Sequence, residues 1–146
     1  MNNLSDFYRL VKDFCDDHNM INEFMMLNSL NDIDGRTFNY RTFIIVPSSS
    51  NVSRELNRPI YTLRFECALL DRCMNNSEEG SIMSIEENLF VVGQIQDFLI
   101  QQDQNCYFEE VSVDGYISED ENITGALFEF EVSFARKGYN SHIDNA

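Results

Sequence analysis

The chain has 146 residues, with 10 Lys or Arg against 25 Asp or Glu and a formal net charge of −15. Residues 1–73 hold eight basic and ten acidic side chains, whereas residues 74–146 hold two and fifteen. Because phosphate affinity comes largely from Lys and Arg, we expect no binding to nucleic acid or to an anionic membrane. A hydrophobic content of 43% over this length predicts a globular domain that needs no disulfide or metal.

The first predicted element is an amphipathic helix over residues 3–27, followed by a loop over residues 28–39. Ser5 with Asp6 supplies a start signal. Apolar side chains recur at helical spacing, at Leu4, Phe7, Val11, Phe14 and Ile21.

Two strands are predicted next, over residues 40–46 and 60–71. The first is a β-branched and aromatic run, and the second alternates apolar with polar side chains. The polar connection over residues 47–59 carries Arg54 and Arg58. A connection of this length inside a compact domain is usually functional, so we expect a projecting loop.

The second half of the chain predicts a helix and two further strands. Ser84 followed by Glu87 matches a capping box that opens a helix running to residue 102, in which Gly93 is expected to permit close backbone packing. Strands are predicted over residues 106–117 and 124–136. The buried stripe of the helix is expected at Ile85, Leu89, Val92, Ile95 and Leu99.

The predicted order α-β-β-α-β-β defines a two-layer α+β domain over residues 1–136, followed by a polar tail over residues 137–146. About four mostly antiparallel strands should carry two amphipathic helices on one face. The other face is expected to meet water or a partner, and it bears Arg64, Glu66, Glu129 and Glu131.

No catalytic constellation is apparent in the sequence. His18 and His142 stand far apart, no serine lies in a G-x-S-x-G motif, and no phosphate-binding glycine loop occurs. His18 and Cys15 are one helical turn apart, but two residues do not make a metal site. We therefore predict no enzymatic activity, no cofactor and no metal. The N-terminus has no apolar core of an export signal, which predicts a cytoplasmic location with reduced cysteines.

Residues 110–121 imitate a calcium-binding loop, with oxygen-bearing side chains and Gly115 at the required positions. The first position is Glu110 where the loop prefers Asp, and the flanking segments have strand patterns instead of helical ones. We interpret the segment as an acidic hairpin connection in which Asp114-Gly115 or Asn122 forms the turn.

Because no active site is apparent, we expect the function to lie at surfaces. A nearly neutral half with arginines and a strongly acidic half suit a heterologous contact, in which different surfaces of successive copies meet. Arg54 and Arg58 are expected to reach the acidic residues Glu119, Asp120 and Glu121 of a neighbour. A solvated acidic face with no partner is the alternative that these residues leave open.

Three segments of the sequence resemble the small neck proteins of tailed bacteriophages, the tail-terminator and connector-ring group that includes ring proteins of crAss-like podoviruses. They are IYTLRFECALLDR, SIEENLFVVGQIQDFLIQ and ITGALFEFEVSFAR. The likeness consists of a strand ending in a Leu-Leu-Asp corner (residues 69–71), a regular helix, and Gly125 before a terminal alternating strand.

The resemblance implies a structural virion protein that forms a ring of six or twelve copies, assembled in the host cytoplasm. Its partners would be itself and adjacent neck, portal or tail proteins, and DNA would pass through the channel without specific binding. We expect acidic side chains to face the channel, namely Glu109, Glu110, Glu129 and Glu131. Subunit or ring interfaces are expected at Arg54, Arg58, Arg64 and Arg72, so that reversal of Arg54 and Arg58 to Glu should weaken assembly.

The main alternative is a small acidic secretion chaperone, which forms a dimer and grips an effector segment on apolar grooves. The terminal strand and polar tail favour the phage interpretation, as does an apolar content that the predicted cores consume. An enzyme of unrecognised kind is the third alternative.

Overall fold

The structure is a computed structural model that describes residues 3–33, 38–55, 58–73, 78–102, 106–107, 114–118 and 122–135. Within these ranges the α-helices are α1 (Leu4–Asp17) and α2 (Glu78–Gln102), and a short 3₁₀ turn spans Leu30–Ile33. The strands are β1 (Glu23–Met26), β2 (Thr42–Glu55), β3 (Arg58–Arg72), β4 (Cys106–Tyr107), β5 (Asp114–Ser118) and β6 (Ile123–Ala135).

The six strands form one mixed sheet in the order β1-β2-β3-β6-β4, with β5 paired to another part of β6. β1 runs parallel to β2, and the remaining pairs are antiparallel. The α+β class is therefore confirmed. The predicted element order is not, because β1 precedes β2 and the single strand predicted over residues 106–117 corresponds to β4 and β5.

Both helices pack on one face of the sheet, where aromatic rings form most of the contact. The ring of Phe7 in α1 stacks on Phe65 with centroids 5.2 Å apart and lies 5.6 Å from Phe130. Phe14 of α1 stacks on Phe98 of α2 at 4.2 Å, which joins the helices to each other. Each buried ring contributes about 2–3 kcal/mol by leaving water.

A smaller core covers one end of the opposite sheet face. Residues 27–40 supply Leu27 and Phe38, which pack with Ile44 and Val46 of β2 and with Leu70 of β3. The other sheet face is therefore only partly open. The open end carries the polar side chains of β3 and β6.

The helix predicted over residues 3–27 is correct only as far as Asp17. The side chain of Asn3 caps its start by accepting a hydrogen bond from the backbone N–H of Asp6 at 2.8 Å. Residues 23–26 instead form β1, in which Phe24 contacts the main core and Met25 the smaller one. This two-residue alternation depends on pairing with β2, a remote segment, and local spacing does not reveal it.

The projecting loop predicted over residues 47–59 is wrong. β2 and β3 continue as an antiparallel ladder to the pair Glu55 and Arg58, with a register shift between Pro47 and Ser49. Proline has no N–H for the ladder and is accommodated at such irregularities. In this part of the ladder, called here the β2–β3 extension, β3 also pairs with β6 from Ile60 onward, whereas β1 pairs with β2 only as far as Ile45. The β2 side chains are exposed along residues 48–54, so their polar composition does not require a loop.

α2 begins at Glu78, before the predicted capping box. Val92, Ile95 and Leu99 are buried as predicted, whereas Ile85 and Leu89 are 37% and 50% exposed. Their expected places against the sheet are taken by the polar side chains of Ser84 and Asn88, which are buried.

Asn122, one of the two predicted turn positions, immediately precedes β6, and its φ of 57° lies in the left-handed region that asparagine tolerates. The alternative turn, Asp114-Gly115, lies within β5 and pairs with Leu127 and Ala126. This strand interrupts the segment that imitates a calcium loop. The remainder of that segment lies outside the described residues.

Candidate functional site

The described molecule has one buried polar cluster and two distinctive surfaces. The cluster is centred on Arg41, which immediately precedes β2 and is 6% exposed. Its Nη2 donates hydrogen bonds to Asp71 Oδ2 at 3.0 Å and Glu87 Oε2 at 2.8 Å, and its Nε donates to Asn88 Oδ1 at 2.9 Å. One guanidinium thus joins the end of β3 to two successive residues of α2.

Hydroxyl and amide groups complete the cluster. Ser84 Oγ donates to Asp71 Oδ2 at 2.7 Å and also bonds to the hydroxyl of Thr124, while Asn88 Nδ2 donates to Thr124 Oγ1 at 3.2 Å. Every buried side-chain nitrogen or oxygen in the described ranges has a hydrogen-bond partner. The cluster is therefore saturated, as a structural network must be to offset desolvation.

This network explains why the capping box is wrong. Ser84 and Glu87 lie inside α2 and reach across to the sheet, where they bind Asp71 and Arg41. The buried residues of α2 recur at helical spacing and so share one face, namely Ser84, Asn88, Val91 and Ile95. Ile85 and Leu89 are consequently turned toward solvent.

His18 and Cys15, which the sequence does not predict to form a metal site, have structural surroundings. His18 Nδ1 accepts the backbone N–H of Met20 at 3.0 Å, and its Nε2 lies 2.5 Å from Gln94 Oε1. Burial raises the pKa of the Cys15 thiol to about 12 and that of Cys67 well above its ordinary value, which keeps both thiols protonated and unreactive. Among the described side chains, no group of three or more His, Cys, Asp or Glu is arranged to hold a metal ion.

The first distinctive surface is the solvent side of α2, called here the α2 outer face. Its large apolar side chains are between 50% and 61% exposed, namely Ile82, Met83, Leu89, Phe90 and Ile100. A helix that is apolar on both its solvent side and its core side is typical of a helix whose outer side is covered by a partner. The sequence pattern predicts a single apolar stripe for this helix, although the apolar pairs at residues 82–83 and 89–90 mark a second one.

Carboxylates run along the α2 outer face between its apolar rows. Glu79 and Glu86 are seven residues apart, close to two helical turns, and Asp97 continues on the same side; all three are exposed. α2 contains no Lys or Arg. The face is therefore both apolar and uniformly negative.

The second distinctive surface is a groove of about 470 Å³ between α1 and the edge strand β1, called here the α1 groove. It is lined by Leu4, Ser5, Tyr8, Arg9, Lys12 and Met26. The apolar members Leu4 and Met26 also pack against the main core. Arg9 and Lys12 are the two basic residues of α1, so the groove combines an apolar floor with a positive rim.

Arg64, expected at an interface, lies together with Glu129 and Glu131, expected to face the channel, on the open sheet face. Arg64 Nε donates to Glu129 Oε2 at 3.2 Å, and Arg64 Nη1 lies 3.5 Å from Glu131 Oε1. All three side chains are about one-third exposed. Arg64, expected at an interface, therefore belongs to the same patch as the acidic residues expected to face a channel.

The other predicted site residues are not brought together among the described side chains. Arg54 is exposed near the end of the β2–β3 extension, and Arg72 is exposed at the end of β3. Arg58 opens β3, and its side chain lies outside the described residues. The acidic residues Glu109, Glu110, Glu119, Asp120 and Glu121 also lie outside them.

No protein-family model matches the chain, and no curated protein sequence matches it. In the described ranges, neither helix combines the length and apolar character needed to cross a membrane.

Proposed function

We propose that the protein is a structural subunit of a ring in the neck of a tailed bacteriophage, the head-tail connector that joins portal to tail around the DNA channel. The observation that carries this proposal is the α2 outer face. Five large apolar side chains are half exposed or more on one helix. Such a face is a liability in a monomer and is expected to be covered in an assembly.

The open sheet face is the surface that we assign to the DNA channel. Arg64 bridges Glu129 and Glu131, and Glu66 stands opposite Glu129 in the β3–β6 ladder. With one positive and three negative side chains, this patch has a net negative charge that repels phosphate. DNA is thereby kept from sticking to a wall that it passes.

A secretion-chaperone dimer is the second candidate, and the α2 outer face is also what favours it. The sequence pattern indicated that the apolar residues are consumed by the cores, and the exposure of Leu89 and Phe90 contradicts that argument. A chaperone would use such a face to hold an effector segment. The two candidates differ in their copy number.

The test is the molar mass of the full chain in solution, measured by light scattering after size-exclusion chromatography and by native mass spectrometry. Six or twelve copies with ring-shaped particles in electron micrographs support the connector. A stable dimer supports the chaperone, and a monomer at the highest soluble concentration contradicts both.

A paired variant tests whether the α2 outer face carries the assembly. Leu89→Ser with Phe90→Ser should reduce the mass to that of a folded monomer, because both side chains are exposed in the single chain. Its unfolding midpoint should no longer depend on protein concentration, since the stabilisation that assembly supplies is removed. Val52→Ser is the matched control, since Val52 is 62% exposed but lies on the β2–β3 extension. Equal loss of assembly in both variants would show that assembly does not depend on the α2 outer face in particular.

A further inference from the structure

We propose that the α2 outer face of one copy docks into the α1 groove of a second copy. This inference rests on the ring function proposed above and names the two surfaces of its subunit contact. The occupant of the α2 outer face is thus a second molecule of the same chain.

Charge complementarity is the first argument. The α2 outer face places Glu79 and Glu86 between apolar rows, and the α1 groove places Arg9 and Lys12 above an apolar floor. Lys12 also binds Asp16 at 3.2 Å, but no ion pair joins Arg9 to a carboxylate in the described part of the chain. Arg9 is available to a neighbouring molecule.

Size and apolar character agree with this pairing. The groove volume of about 470 Å³ is sufficient for a large side chain, and its floor is formed by Leu4, Tyr8 and Met26. Phe90 is 59% exposed and projects from the α2 outer face. An aromatic anchor buried in a pocket, with polar groups at the rim, is the usual arrangement of an interface hot spot.

The positions of the two surfaces in the fold require two molecules. The groove borders β1, which forms one edge of the sheet, whereas α2 packs over β3, β6 and β4 toward the other edge. A contact between different surfaces of identical copies is heterologous, and it closes into a ring when the rotation per copy permits. A two-fold pairing of α2 with itself would instead bring carboxylates against carboxylates.

The experiment is a charge exchange in the full chain, with assembly measured by light scattering across a concentration series. One variant carries Arg9→Glu and Lys12→Glu, the other carries Glu79→Lys and Glu86→Lys, and all four residues are exposed, so folding should be retained. Each variant alone should associate about tenfold or more weakly than the natural chain, because like charges then face each other. An equimolar mixture of the two, and the chain carrying all four changes, should recover assembly.

Recovery in the mixture supports the pairing of the two surfaces. Undiminished assembly of both single-surface variants overturns the pairing but leaves the ring function intact, whereas a monomeric natural chain overturns the ring itself. Loss without recovery also overturns the pairing. Ser50→Glu with Asn51→Glu, at exposed positions of β2, controls for added negative charge away from both surfaces, and an equal loss there would overturn the assignment to the groove.

An introduced cysteine pair tests whether α2 contacts the α1 groove or the α2 of a second copy. In a Cys106→Ser background, Ser5→Cys with Phe90→Cys should oxidise to a ladder of linked chains that extends beyond two copies. Phe90→Cys alone should remain unlinked. A covalent dimer from Phe90→Cys alone would indicate the two-fold α2 contact and overturn the proposal.

Discussion

Arg41 and Arg64 each bridge two carboxylates, but they differ in burial, and this difference determines their expected contributions to stability. Arg41 is 6% exposed in its ion pairs, whereas Arg64 is 32% exposed. Water and salt screen an exposed pair, while a buried pair that loses one partner leaves an unpaired charge in a poor solvent.

Arg41→Ala is therefore expected to lower the free energy of unfolding by about 3 kcal/mol, because Asp71 is left without its cation and Asn88 without its donor. Arg64→Ala is the matched control and should cost less than about 1 kcal/mol. Urea denaturation at low and high salt measures both. Similar costs, or a salt-sensitive cost at Arg41, would contradict the structural role of the cluster.

The buried thiols predict a loss of stability in alkali. The ordinary pKa of 9.0 is raised by burial to about 12 for Cys15 and well above 9.0 for Cys67. A raised folded-state pKa means that the stabilising contribution is complete below pH 9 and is lost as the pH rises toward 12. The free energy of unfolding should fall by about 1.4 kcal/mol per pH unit for each thiol in this window.

Urea denaturation between pH 8 and pH 11 measures this slope. The variant with Cys15→Ala and Cys67→Ala should show a shallower slope, since its remaining pH dependence comes from other groups. An identical slope in the variant would show that these thiols do not titrate differently in the folded and unfolded chains.

The helix α2 shows which of its features a local sequence pattern predicts and which it does not. Its existence and its C-terminal buried residues Val92, Ile95 and Leu99 follow from helical spacing. Its N-terminal start does not, since Ser84 and Glu87 match a cap but bind the sheet. Two faces of α2 are apolar, so periodicity alone cannot show which one meets the sheet.

Gly93 in α2 provides a prediction about this helix. A Cβ added at Gly93 would meet no atom of the described chain within 4 Å, so the expected close packing within the molecule is wrong. Gly93→Ala should raise the free energy of unfolding of the monomer by about 0.5–1 kcal/mol through helix propensity. If a neighbouring copy approaches α2 at this position, the same change should weaken assembly.

Unfolding of Gly93→Ala is best measured in the background of Leu89→Ser and Phe90→Ser, where assembly is removed. Light scattering of the single variant then reports its association. Increased stability together with unchanged assembly would show that the neighbouring copy does not contact Gly93.

For the molecule as a whole, the negative charge is arranged on surfaces of different kinds. The sheet patch around Arg64 combines its carboxylates with an internal cation, and α2 has carboxylates with no cation along the helix. The α1 groove is the described surface in which Arg9 and Lys12 stand beside an apolar floor. Net charge alone argues against nucleic acid as a partner, whereas the arrangement of the charge is the basis of the proposed contact with a second copy.

Local alternation was sufficient to predict β3 and β6, because every second side chain of each strand enters the main core. It was insufficient for β1 and for the extension of β2 beyond Val46, whose strand character depends on hydrogen bonds to remote partners. The same limit applies to α2, where the buried Arg41 selects Ser84 and Asn88 as the inward face and leaves Leu89 and Phe90 outside. Composition and spacing therefore specify the α+β class and most of the core, while long-range pairing and the hydrogen bonds of one buried arginine determine which apolar surface remains exposed.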